Sequence, residues 1–161
     1  MSMLENITEE LDALKSIEEA IEMAISLEDQ GCAFYTEKAG ITTEVAIQEM
    51  FEYLADEETK HAEYLHNFLK DNNTTVTVSE TPNFTKTLSG EFSSEKMDEI
   101  GILLAALRFE RKSEDFYAEL ARRSDDQEQK VFFEKLSVVE RGHYEIIDGL
   151  LDMATGFRMQ T

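Results

Sequence analysis

Glu28, Glu58 and His61 recur 82 residues later as Glu110, Glu140 and His143. Each half carries a Glu-x-x-His motif, Glu58-Thr59-Lys60-His61 or Glu140-Arg141-Gly142-His143, with a lone glutamate 30 residues upstream. Four carboxylates and two imidazoles are the donors a pair of divalent ions takes inside a four-helix bundle, when lone glutamates on two helices meet Glu-x-x-His motifs on the other two. Carboxylate oxygens are hard donors that switch between terminal and bridging modes. With one imidazole per ion they suit iron or manganese better than Cu(I) or thiolate zinc. Residues i and i+3 share a helical face, so each motif delivers both donors to one point. A single Glu-x-x-His on an acidic helix means little, because most such glutamates are solvated. Two of them, each with a partner glutamate at equal spacing inside a repeat, are far harder to obtain by accident. If these carboxylates face inward they require cations, since unpaired buried charge is very costly.

Other residues near these positions could take part. Tyr35 and Tyr117 each follow a lone glutamate by seven residues, on the same helical face. A phenol there hydrogen-bonds a ligand carboxylate across the bundle, quenches stray oxidising equivalents, or is an ordinary core aromatic. Glu114 stands four residues after Glu110. It is a fifth metal carboxylate, an acid–base group, or a charge at the bundle edge. Its repeat partner, Cys32, reads as a small core residue. Glu57 could accept from the outer nitrogen of His143 and fix its tautomer. The repeat position is Val139, so the halves would differ, and a solvated Glu57 is the expectation. His66, matched by Asp148, is expected at the surface.

The elements that must position these donors are helices. From Ser16 to Ala39 the apolar residues Ile17, Ala20, Ile21, Ala24, Ile25, Leu27, Phe34 and Tyr35 follow a 3.6-residue stripe. Ser16 with Glu19 forms a capping box at its start, and Gly40 is suited to stop it. Thr42 or Thr43 is expected to cap a second helix running to about Asp71. The short connection makes the two antiparallel neighbours. A third helix from about Ser94 to Arg123 and a fourth from about Asp125 to Ala154 repeat the arrangement, with Ser124 and Gln127 as the capping box. The repeat extends past the donors: Phe34, Tyr35, Phe51 and Leu54 recur as Phe116, Tyr117, Phe133 and Leu136. Counting from the turns, Glu28 and Glu110 lie eleven residues before Ala39 and Ala121, while Glu58 and Glu140 lie sixteen after Thr42 and Ser124. All four carboxylates therefore fall near mid-bundle. Between the hairpins, residues 72–93 are rich in Asn, Thr and Ser and are expected to form a crossover. Roughly 20 extended residues at ~3.3 Å each suffice to run the length of the bundle.

Composition excludes several classes. The 161 residues make one domain of ordinary size, with one proline and one cysteine. Cys32 alone allows neither an internal disulfide nor a Cys-x-x-Cys motif, which points to a reducing cytoplasm. A formal charge of −20 without a basic cluster argues against nucleic acid and anionic membrane surfaces as partners. The acidic start is no secretory signal, and no apolar run approaches a membrane span.

These motifs make the chain resemble the rubrerythrin-like group of the ferritin-like di-iron carboxylate superfamily, across residues 16–155. The resemblance implies an all-α, ferritin-like four-helix bundle. Glu28 with Glu58 and His61, and Glu110 with Glu140 and His143, look like that group's di-iron ligands. Tyr35 and Tyr117 match the tyrosines that lie beside them. It further implies two iron ions per chain (or manganese), a homodimer or larger assembly, and an oxidoreductase that reduces hydrogen peroxide or O2. Three departures stand out. The cysteine-ligated rubredoxin module of rubrerythrins is missing from this sequence, so the electron donor is expected to be a separate protein. Ser113 stands where rubrerythrins carry an extra glutamate, with Glu114 one residue further on. The Glu140–His143 spacing is a residue narrower than is common. Bacterioferritin shares the ligand pattern, but its haem-ligating methionine follows the first motif's glutamate, where this chain has Thr59. A haem-free peroxidase-type protein is therefore expected over a bacterioferritin-like ferroxidase that stores iron. A non-catalytic metal-binding bundle is the third class.

Overall fold

The computed structural model describes residues 7–71, 74–78, 82–84 and 97–159. Five helices occupy them: α1 (Ile7–Asp12), α2 (Ile17–Ile41), α3 (Val45–Asp71), α4 (Met97–Arg123) and α5 (Gln127–Met159). No strand occurs among the described residues, and the architecture is an all-α, ferritin-like bundle. Contacts concentrate between α2 and α3 and between α4 and α5, so the chain folds as two hairpins laid together. No helix is long and apolar enough to cross a membrane among the described residues.

The internal repeat is kept in the helix ends. α2 and α4 finish at Ile41 and Arg123, while α3 and α5 begin at Val45 and Gln127, in both cases 82 positions apart. The start of α2 follows its capping box: the Glu19 amide donates to Ser16 Oγ at 3.2 Å, and Glu19 Oε2 accepts from the Lys15 amide at 2.7 Å. Three expectations at the turns need correction. Gly40 does not stop α2; it lies within the helix, which ends where Thr42 turns to extended backbone at φ −77°, ψ 143°. α3 begins at Val45, with Glu44 rather than Thr42 or Thr43 before its first residue. Its repeat equivalent Asp126 does the same before α5, Oδ1 accepting from the Glu128 amide at 2.8 Å. Ser124, expected as that cap, instead donates its hydroxyl back to the Leu120 carbonyl at 2.7 Å. The threonines are held by a distant partner. Buried Glu99 of α4 accepts from the Thr42 hydroxyl at 2.7 Å and the Thr43 amide at 2.9 Å, which fastens the α2–α3 turn to the other hairpin.

The short α1 is an element the periodicity did not predict, since six residues hold fewer than two turns of pattern. It buries Leu11 in the core, and Asp12 pairs with Arg123 at 2.8 Å.

Apolar side chains form two clusters, one toward each end of the bundle. The first gathers the start of α2, the end of α3, the end of α4 and the start of α5, through residues such as Ile21, Phe68, Phe116 and Phe132. The second gathers the opposite ends, through Phe51, Leu54, Leu103 and Ile147. Along every long helix the donor positions fall in the gap between them: Glu28 after Leu27 and before Tyr35, Glu58 and His61 after Ala55 and before Leu65, and likewise in α4 and α5. Each fully buried Leu or Phe stabilises by roughly 1.5–3 kcal/mol, so these clusters hold the bundle together around a polar middle. The described parts of the crossover follow the same plan. Val76 is buried in the first cluster, and Phe84 packs against the second, its ring 5.7 Å from Tyr53. The rest of the crossover and the expected helix start at Ser94 lie outside the described residues.

Candidate metal centre

The structure brings Glu28, Glu58, His61, Glu110, Glu140 and His143 together, each no more than 2% exposed. They form two overlapping quartets. Glu28, Glu58, His61 and Glu140 have donor atoms within 4.8 Å of one another, and so do Glu58, Glu110, Glu140 and His143. The two Glu-x-x-His glutamates belong to both quartets, whereas each lone glutamate and each histidine belongs to one. His61 Nδ1 lies 2.9 Å from Glu140 and 3.4 Å from Glu28. His143 Nδ1 lies 3.6 Å from Glu110 and 3.8 Å from both Glu58 and Glu140. The two imidazole planes are stacked, 5° apart with centroids at 5.4 Å.

Close as these atoms are, they are not aligned to satisfy one another. Glu28 Oε2, Glu58 Oε1, Glu110 Oε2, both Glu140 oxygens and both Nδ1 atoms are buried without a hydrogen-bond partner. Orphaned polar atoms at this density are rare in folded proteins and need an explanation. Carboxylate oxygens and imidazole nitrogens converging on two points, with two carboxylates common to both, fit a pair of divalent cations.

The electrostatics of the protein alone agree. Burial, reinforced by the surrounding glutamates, pushes Glu58 well above the usual carboxylate range. Burial and Glu140 raise Glu110 to about 8. Burial opposes ionisation of Glu28 as well, but His61 outweighs it and keeps this carboxyl low. Glu140 also stays low despite burial and Glu28, because the protons of Glu110, His143 and His61 face it. Burial would lower both histidines. Instead Glu28 and Glu140 hold His61 at about 10, and Glu110 with its neighbours holds His143 well above its ordinary value. The cluster is thus neutralised by protons, as a buried acidic site without cations must be.

Both tyrosines reach across the bundle. Tyr35 donates to Glu110 Oε1 and Tyr117 to Glu28 Oε1, each at 2.6 Å, so each hairpin's phenol orients the other hairpin's lone glutamate. Burial and those carboxylates raise both phenols well above their ordinary value, which keeps them donors. Phe51 and Phe133, themselves repeat partners, stack on Tyr35 and Tyr117 at 5.5 and 6.5 Å.

Glu57, expected to be solvated, is half-buried, and its Oε1 lies 3.5 Å from His143 Nε2. That contact with His143, against the opposing effect of burial, lowers its pKa to about 2. Glu114 belongs to neither quartet. Its Oε2 lies 3.6 Å from Arg141, while its Oε1 is buried without a hydrogen-bond partner. His66 is exposed, as expected. Sequence reasoning missed Gly31 and Phe109. A Cβ on Gly31 would sit 2.9 Å from the Phe109 ring and 3.3 Å from Glu58 Cδ, so the missing side chain makes room for both. The available signal was a glycine in mid-helix three residues after Glu28, where Ala would favour the helix. Glu99 was missed too, although its repeat partner is Ile17, an exchange of charge for an apolar residue.

No curated protein matches the chain. Among solved structures, a hypothetical protein from Pyrococcus furiosus is similar, at 25% identity and a TM-score of 0.72 over 94% of this chain and 96% of that one. The family model for rubrerythrin matches residues 19–151, a span containing every donor of both quartets. The chain belongs to the rubrerythrin family.

Proposed function

We propose that this protein is a haem-free di-iron oxidoreductase that reduces hydrogen peroxide or O2, with electrons from a separate donor protein. The observation that carries this reading is the pair of buried quartets sharing Glu58 and Glu140. Glu28, His61, Glu58 and Glu140 would hold one ion, and Glu110, His143, Glu58 and Glu140 the other. Bound there, two ferrous ions supply the two electrons that cleave an O–O single bond. Glu28 and Glu110 are oriented by hydrogen bonds from Tyr117 and Tyr35. We assign the acid–base role to Glu114, which lies one turn beyond Glu110 with one carboxyl oxygen out of water. Haem is not expected, because the Thr59 hydroxyl turns to its own helix, donating to the Ala55 carbonyl at 3.1 Å. A small homo-oligomer, as small as a dimer, is part of this reading rather than a storage shell.

Stopped-flow mixing of the diferrous protein with each oxidant tests the proposal. Peroxide should oxidise it faster than O2, and Glu114→Gln should slow the peroxide reaction while both irons stay bound. Faster oxidation by O2, with no effect of that substitution, would favour a ferroxidase with Glu114 as an ordinary partner of Arg141. A hollow particle that accumulates iron beyond its ligand set would favour storage.

A further inference from the structure

The six donors are duplicated, but what lies behind them is not. His143 turns Nδ1 toward the carboxylates and leaves Nε2 facing Glu57 Oε1 at 3.5 Å. That carboxylate is fixed from two sides. The Tyr53 hydroxyl donates to Oε1 at 3.3 Å, and Lys60 Nζ reaches Oε2 at 3.2 Å. Tyr53 also stands edge-on to the His143 ring, 6.3 Å away at 81°. In the repeat, Tyr53, Glu57 and Lys60 become Lys135, Val139 and Gly142, so the entire support is replaced. Among the described residues His61 makes its ion pairs through Nδ1, to Glu28 and Glu140, and Glu57 comes no nearer to it than the looser grouping within 4.8 Å that also includes His143.

We propose that Glu57 is a positioning residue that makes the two metal positions unequal, strengthening the one built on Glu110 and His143. A histidine binds a metal through Nδ1 only when its proton sits on Nε2. An anionic acceptor at Nε2 selects that tautomer, fixes the ring and raises the basicity of the ligating nitrogen. Glu57 does this for His143. Val139, in the equivalent place, has no acceptor to offer. Loss of such an outer partner typically weakens metal binding by roughly 10–100-fold, so the two affinities should differ by about that ratio. The inference rests on the dimetal reading above.

Anaerobic Co(II) titration of the metal-free protein, followed by visible absorption and calorimetry, tests it. The wild-type chain should take up two ions in two separable steps. Glu57→Val, which copies the repeat residue, should weaken the tighter step roughly 10–100-fold and leave the other in place. Glu57→Gln keeps an acceptor oxygen without the charge and should fall between. Glu57 lines an open cavity of about 390 Å³, so a shorter side chain is accommodated and the helical circular dichroism should not change. In a Glu28→Ala background Glu57→Val should weaken the remaining ion, whereas in a Glu110→Ala background it should add no further loss. Equal weakening of both steps, or of neither, in a chain that binds two ions would overturn the proposal and leave the dimetal reading standing. A wild-type chain that binds fewer than two would overturn both.

Discussion

Loading the centre with divalent ions should expel protons, and the structure sets how many. Near neutral pH the metal-free cluster holds Glu28 and Glu140 ionised, against two protonated histidines. Glu58 and Glu110 keep their protons, the latter with a pKa of about 8. The net charge of the six groups is therefore zero. With two divalent ions bound, four carboxylates are ionised and both imidazoles are neutral, and the sum is again zero. Four protons must leave, one each from Glu58, Glu110, His61 and His143. The sign follows directly: these pKa values are raised, so protons compete with metal below them and stop competing above them. Below about pH 8 the affinity for the pair should fall as pH falls, by up to about 3 kcal/mol per ion for each pH unit when two protons leave per ion. As pH rises through about 8 the Glu110 contribution should disappear, and near 10 that of His61. Calorimetric titration in buffers of differing ionisation enthalpy counts the protons. Release of none, or an affinity that does not change across the acid side of neutrality, would refute the burial and pairing argued for these groups.

Tyr35→Phe and Tyr117→Phe should both lower the Tm of the metal-free protein, because each phenol makes a buried 2.6 Å hydrogen bond. Loss of the Tyr117 bond to the ionised Glu28 should cost about 1.5–3 kcal/mol, and loss of the Tyr35 bond to the protonated Glu110 about 0.5–1.5 kcal/mol. No effect of either substitution would contradict the orienting role of the phenols. Gly31→Ala should change stability by no more than about 1 kcal/mol, since gained helix propensity offsets the displacement of the Phe109 ring. It should nevertheless weaken metal binding, because Glu58 Cδ lies 3.3 Å from the new methyl group. Unchanged affinity would show that Glu58 does not depend on that space.

The buried cluster of six and the hairpins were legible because a repeat turns weak local signals into a correlated one. One acidic helix could hide its inward glutamates; two helices with the same offset between Glu28, Glu58 and His61 could not. The helix ends were less legible. Thr42 and Ser124 have the chemistry of N-caps, but Thr42 is claimed by Glu99 from another helix and Ser124 by its own Leu120 carbonyl. Such competition is decided by tertiary contacts, which local pattern does not contain. Glu57 illustrates the same limit. Its neighbour His143 lies 86 positions away, so only the folded bundle shows that the charge is engaged rather than solvated. Gly31 and Phe109 depend on each other's volume across two helices, and neither stands out alone.

The central claim, a paired metal centre shared between two hairpins, is tested most directly by anaerobic Fe(II) titration with metal analysis of the washed protein. Saturation should come at two ions per chain, and Glu58→Ala, which removes a donor common to both quartets, should abolish paired binding while the helical signal persists. Saturation at one ion or none, or a Glu58→Ala protein that still holds both, would contradict it.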